Sequence, residues 1–99
     1  MSYFLGKLIP PRTTFPADIN EAEKLLMGEH VEYWSTYVEQ GKIVALGPVA
    51  DPKGTWGLGI FEVADEAEIR ALTANDPIVK AGIGFRYDLF PMPRIVLRK

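Results

Sequence analysis

Hydrophobic and polar positions follow two rhythms along the chain. From Tyr3 to Ile9 the alternate sets Tyr3-Leu5-Lys7-Ile9 and Phe4-Gly6-Leu8 are both largely apolar, which predicts a strand buried on two faces. Pro10-Pro11 stops it, because proline cannot donate to a ladder. In the next segment the period lengthens to that of a helix. Glu29, Glu32, Thr36 and Glu39 recur at three- and four-residue steps and make a polar face. Val31, Trp34 and Val38 lie opposite, with His30, Tyr33 and Tyr37 on the flank. Asp18 followed by Glu21 has the spacing of a helix cap with its return carboxylate, and Leu25, Leu26 and Met27 continue the helix. Gly28 interrupts it. A break there puts His30 in the first turn of a second helix, at the mouth of a pocket. An unbroken helix from Ile19 sets it about 16 Å below the start, at ~1.5 Å per residue.

Gly41 suits the residue after the helix, where a left-handed backbone is free to glycine. Ile43 to Leu46 reads as the second strand. Gly47 to Thr55 is a long hairpin loop with a type I turn at Asp51–Gly54. Trp56 to Val63 is the third strand, and Gly57 and Gly59 leave one face of it bare for a ligand or another backbone. Asp65 and Glu68 repeat the capping spacing, Ile69 and Leu72 mark the apolar stripe, and Asn75 ends that helix. Asp76-Pro77 reads as a cap with proline at the first helical position, opening one turn through Lys80. Phe85 to Phe90 is the last strand, closed by Pro91 and Pro93.

The order βαββαβ predicts a ferredoxin-like α+β domain over residues 1–99: an antiparallel four-stranded sheet with helices on one face. Two helices leave the other face bare although its strands are apolar, so a homodimer packed sheet against sheet, an α+β barrel, is expected. In this topology Arg12–Pro16, Gly47–Thr55 and Asn75–Gly84 surround one opening, and His30 joins them only if the helix breaks at Gly28.

Composition narrows the partners. The net charge is −2 and the only local basic surplus is Arg94, Arg98 and Lys99, too little for a phosphate-binding surface, so no nucleic acid is expected. There is no cysteine for disulfides or thiolate ligands. One histidine without companions makes a poor metal site, so none is expected. No glycine-rich phosphate loop suggests a nucleotide, and the cofactor expectation is likewise none. The apolar N-terminus is short for a signal or a membrane span, which reads as a cytoplasmic protein without a membrane partner.

The set His30-x-x-Tyr33-Trp34, Gly41, Gly47-Pro48, Gly54-x-Trp56-Gly57 and Asp76-Pro77, in this order and spacing, resembles the YCII-related (YciI-like) family from about Tyr3 to Pro91. The resemblance implies a dimeric α+β barrel with a pocket holding a histidine and an aspartate, carried over as His30 and Asp76. It also implies, for some members, action on hydroxylated or chlorinated aromatic compounds. Many relatives begin the helix with Arg-Pro-x-His where this chain has Met27-Gly28-Glu29-His30, and Arg12 is the candidate to replace that arginine.

A lone histidine on an apolar flank is more often a core residue, and an aspartate before proline more often a plain cap. Together they make a different proposition. A carboxylate on one imidazole nitrogen sets the tautomer and leaves the other nitrogen as a base. His30 and Asp76 are therefore the expected catalytic pair, with Arg12, Tyr33, Trp34, Pro48 and Trp56 as the expected substrate contacts. The leading expectation is a cofactor-free isomerase or lyase acting on a small cyclic or aromatic molecule. The alternatives are a non-catalytic ligand-binding dimer and a structural or partner-binding subunit.

Overall fold

The structure, a computed structural model, describes residues 1–98. Its elements run β1 (Ser2–Ile9), α1 (Glu21–Glu39), β2 (Ile43–Val49), β3 (Trp56–Val63), α2 (Glu66–Ala74), α3 (Pro77–Lys80) and β4 (Arg86–Met92). The strands pair antiparallel in the order β2-β3-β1-β4, the ferredoxin-like α+β arrangement that the element order predicts. Phe4 of β1 and Phe61 and Val63 of β3 pack beneath Trp34 of α1 and Ile69 of α2, so the helices share one face of the sheet. A second cluster joins Leu8, Phe15, Ile78 and Phe85 under the segment that follows β1.

Helix α1 departs from the sequence reading in three ways. It does not break at Gly28. That glycine sits on the exposed side with open space where a side chain would be. Its cost of ~1 kcal/mol against alanine is absorbed by a long helix locked at its start and packed along one face. The lock is at Asn20, not Asp18. Asn20 Oδ1 accepts from the Glu23 amide at 2.8 Å, and Glu23 Oε1 accepts from the Asn20 amide at 3.1 Å. Asp18 is instead held by Arg12 and Thr14. Lastly, the buried stripe is rotated. Glu23, His30 and Trp34 are buried, with Met27 and Tyr37 half-buried between and beyond them. Val31 and Val38 are exposed, at 56% and 50%. His30 therefore lies at the centre of the buried face, not on its flank.

The two edge strands differ from the expectation at their ends. β2 continues through Gly47 and Pro48 to Val49, leaving residues 50–55 as the loop, whose turn closes with the Gly54 amide on the Asp51 carbonyl at 2.9 Å. β4 begins at Arg86 and runs through Pro91 to Met92. Both β2 and β4 are edge strands, where a proline forfeits only an outward-facing donor.

Because β1 and β3 run antiparallel, the end of β1, the β2–β3 loop and the approach to β4 meet at one end of the sheet. Gly84, at φ +106°, brings its backbone so close to Pro11 that an added Cβ would stand 2.8 Å from the proline ring. The face away from the helices carries Tyr3, Leu5, Lys7 and Ile9 of β1 beside Leu58 and Ile60 of β3. Phe90 lies opposite Leu5 and is 47% exposed. No helix among the described residues is long and apolar enough to cross a membrane.

Candidate functional site

A cavity of about 430 Å³ lies between α1 and the sheet. Its floor is made where β3 has no side chains on the helix face. Gly57 and Gly59 stand opposite Leu8 and Gly6 of β1. A Cβ on Gly59 would meet the Phe61 ring at 2.4 Å, so that position tolerates only glycine while the ring lies over it. These glycines face the helices rather than the open side of the sheet, which makes them clearance for the cavity. The walls come from Phe15 and Pro16 after β1, Met27 and His30 of α1, Leu46 and Pro48 of β2, and Phe85 and Tyr87 at the start of β4. Phe15 and Phe85 meet edge to face with centroids 5.2 Å apart. Within this largely apolar lining, His30 is the one imidazole.

Behind His30, and outside the cavity, is Asp76. It is fully buried (0% exposed). Oδ1 accepts the Ile78 amide at 3.1 Å, the capping bond of α3. Oδ2 accepts three side-chain donors, each at 2.7 Å: Nδ1 of His30, Nε1 of Trp34 and the hydroxyl of Tyr87. The aspartate is thus both cap and imidazole partner. Burial alone would push its carboxyl up. The bonds from His30, Tyr87 and Trp34 outweigh burial and hold it below the ordinary carboxylate range. It is therefore an anion that can only accept, so Nδ1 of His30 carries the proton facing it. Nε2 has no hydrogen-bond partner among the described residues and is not sealed from solvent. Burial, then the Asp76 charge, pushes the Tyr87 hydroxyl far up, so Tyr87 stays a proton donor to the carboxylate.

Of the expected site residues, His30, Pro48 and Trp56 reach the cavity. Trp56 does so at the first residue of β3. Its ring lies under Lys7, 4.5 Å from the ammonium, on the helix-free side, and its indole N–H donates to Asp51 at 3.2 Å. Three expected substrate contacts lie elsewhere. Arg12 is committed within the protein: its guanidinium meets both Glu23 oxygens at 2.7 Å, Asp18 Oδ1 at 2.9 Å and the Asp18 carbonyl at 3.1 Å. Those bonds raise its pKa further and hold the two carboxyls low, so it has no fork left for a ligand anion. Tyr33 donates to the Leu72 carbonyl at 2.5 Å, which anchors α1 to α2. Trp34 is wholly buried between the sheet and α2 and touches the site only through Asp76 and Tyr87.

Sequence reasoning missed Tyr87, Phe15 and Phe85. Tyr87 had a signal. It lies opposite Leu8 in the β1–β4 ladder, and inward alternation Tyr87-Leu89 turns its hydroxyl towards the helices. His30 reaches the cavity without a helix break because the stripe rotation turns it inward. The gap over Gly57 and Gly59 then extends along α1 as far as its third turn. Among the described residues no three His, Cys, Asp or Glu side chains gather as a metal site.

These features define a ferredoxin-like α+β protein with a buried histidine–aspartate pair at the wall of an apolar cavity. The YCII-related domain model matches residues 9–93, and the chain belongs to the YCII-related family. No curated protein matches it. Among solved structures it is similar to a 5-chloro-2-hydroxyhydroquinone dehydrochlorinase, TftG, from Burkholderia phenoliruptrix, in complex with 2,5-dihydroxybenzoquinone. That likeness has a TM-score of 0.59 and 18% identity, and covers 89% of this chain and 91% of the other. An uncharacterised protein of Thermotoga maritima, TM1266, is similar at a TM-score of 0.52 and 14% identity, over 92% and 95% of the two chains. At such identities the likeness establishes the shared fold.

Proposed function

We propose that the chain is a cofactor-free enzyme in which His30 moves a proton on a small, neutral, hydroxylated ring, as an isomerase or lyase would. One observation carries the reading: an imidazole that lines an apolar cavity is bonded through Nδ1 to a buried carboxylate, and its other nitrogen has no protein partner among the described residues. Nε2 takes a proton from a ring hydroxyl, and the Asp76 charge stabilises the imidazolium that forms. The proton then returns to a ring carbon, which isomerises the ring, or leaves with a departing anion, which completes an elimination. The family membership supports this reading, as does a structural neighbour described as a dehydrochlorinase.

The sheet face opposite the helices supports the second part of the proposal, a homodimer. Leu5, Ile60, Leu58 and Phe90 make a continuous apolar surface that the helices leave open, as dimers packed face to face require. The experiment for the pocket is a panel of catechols, hydroxyhydroquinones and lactones assayed for binding and turnover with wild type and His30→Asn. Turnover by wild type that His30→Asn loses supports the enzyme. Binding by wild type without turnover would make it a ligand-binding protein, and no binding at all would reject the pocket reading.

A further inference from the structure

Asp76 offers His30 only part of its charge. Oδ2 has two lone pairs and receives three donors at the same 2.7 Å. The two that are not His30 cannot turn away. An indole N–H only donates, and Trp34 sits one helical turn from His30 with no exposure to water. The Trp34 indole also reaches the Tyr87 hydroxyl oxygen at 3.1 Å. That oxygen therefore accepts, and its own hydrogen is directed at Asp76. The wiring runs in one sense, from Trp34 to Tyr87 and from both to Asp76, where it meets the imidazole proton.

From this convergence we infer that Trp34 and Tyr87 are positioning residues for His30: by occupying the same carboxylate oxygen, they limit how strongly Asp76 holds a protonated imidazole. A carboxylate with fewer donors is a stronger partner for a cation. Without Trp34 and Tyr87, the imidazolium would be held more firmly and would return its proton less readily. The groups that face Asp76 are few. His30, Tyr33 and Trp34 come from α1 and Tyr87 from β4. α3 contributes the Ile78 amide, and its Lys80 points to solvent. The inference rests on the proton-transfer reading for its purpose, but its test needs no ligand.

The chain has one histidine, so its imidazole gives a single NMR resonance to follow against pH. Tyr87→Phe keeps the ring in the core and removes only the hydroxyl. It should raise the titration midpoint of that resonance, with the ratio of protonated to neutral imidazole at a given pH up about three- to tenfold. On an Asp76→Asn background the same change should move nothing, since the anion through which it acts is gone. A second arm leaves the sequence intact: 3-fluorotyrosine in place of tyrosine makes a stronger donor and should shift the midpoint the opposite way. A midpoint unmoved by both changes, or a Tyr87→Phe shift that persists on the Asp76→Asn background, overturns the inference. Turnover that His30→Asn keeps, or no turnover by wild type, beside the titration shifts expected here would reject the catalytic reading and leave the wiring standing.

Discussion

The guanidinium of Arg12 lies against the Glu23 carboxylate in a two-bond fork, Nη1 to Oε2 and Nη2 to Oε1, both 2.7 Å. Its Nε–H holds Asp18 as well. This arrangement ties the segment bearing Phe15 and Pro16 to the first turn of α1 and so fixes one wall of the cavity. It also spends the arginine beside that wall on the protein's own acids. A ligand carboxylate in the cavity would be desolvated without a cation to receive it. Within a pair sharing one ring, the neutral phenol should bind at least about tenfold tighter than the benzoate, a difference of about 1.4 kcal/mol. Isothermal titration of both would decide it; equal affinities would mean that Arg12 is free to turn.

How much of this is readable from the chain alone depends on how local each signal is. The four strands and the βαββαβ order are written in runs such as Tyr3–Ile9 and Trp56–Val63 and in the Pro and Gly stops between them. Asp18 and Asn20 offer the same three-residue capping spacing, to Glu21 and Glu23. The choice between them is made by Arg12, a residue outside the helix that draws Asp18 away and orients Glu23. The face of α1 escapes the periodicity for a similar reason. Val31 and Val38 are more apolar than His30, yet Asp76 and the sheet reward burying the histidine. Asp76 is visible as a cap, but two of its side-chain donors, His30 and Trp34, stand 46 and 42 residues away, and only the tertiary fold brings them to it.

Gly28 gives a clean stability prediction. It is helical and exposed, and nothing lies within 4 Å of the position a Cβ would take. Gly28→Ala should stabilise the fold by roughly 0.5–1 kcal/mol, through the entropy of the unfolded chain and better helix propensity. Urea melts would show it as a higher midpoint at constant slope. A destabilised Gly28→Ala protein would mean that the glycine bends α1 in solution.

Acid should unfold the protein through a defined set of carboxyls. Asp76 is held below its ordinary value of 3.8, burial being outweighed by donors from His30, Tyr87 and Trp34. Asp18, Glu23, Asp51 and Glu68 are lowered too, by Arg12 in the first two, by the Lys53 amide and by Lys42. A carboxyl whose folded pKa lies below its unfolded one adds stability above the unfolded value, and that stability is lost as pH falls through the folded value. Urea midpoints should therefore hold steady down to about pH 5 and fall below about pH 4. Asp76→Asn should start lower and fall less steeply over that range. A parallel fall in both proteins would remove Asp76 from the set.

The open sheet face is tested by a charge. Phe90 is half exposed on an edge strand opposite Leu5, so Phe90→Glu should cost the monomer little, within about 0.5 kcal/mol for a surface change. In a face-to-face dimer the same carboxylate would be buried unpaired. Light scattering should give twice the chain mass for wild type at micromolar concentration and the single mass for Phe90→Glu. A wild-type monomer would refute the dimer outright.

The last prediction separates what His30 does for the fold from what it does in the cavity. At 8% exposure it is a buried residue, so a purely structural role would make its removal expensive. Its partner, however, is not left alone when it goes. In His30→Asn, Asp76 would keep the Trp34 indole, the Tyr87 hydroxyl and the Ile78 amide, and the vacated space would open onto an existing cavity rather than create a sealed one. The cost should therefore be about 1 kcal/mol. Asp76→Asn is the contrasting case. It would set a donor amide among three inward-pointing donors, and should cost more, about 2–4 kcal/mol. Catalysis should rank them differently, because turnover needs the imidazole itself: His30→Asn should abolish it while leaving the fold nearly intact. Urea melts of the two variants, read beside turnover on the phenol panel, give both orders at once. If His30→Asn proved the more destabilising of the pair, the imidazole would be a structural member of the core and the cavity would need another base.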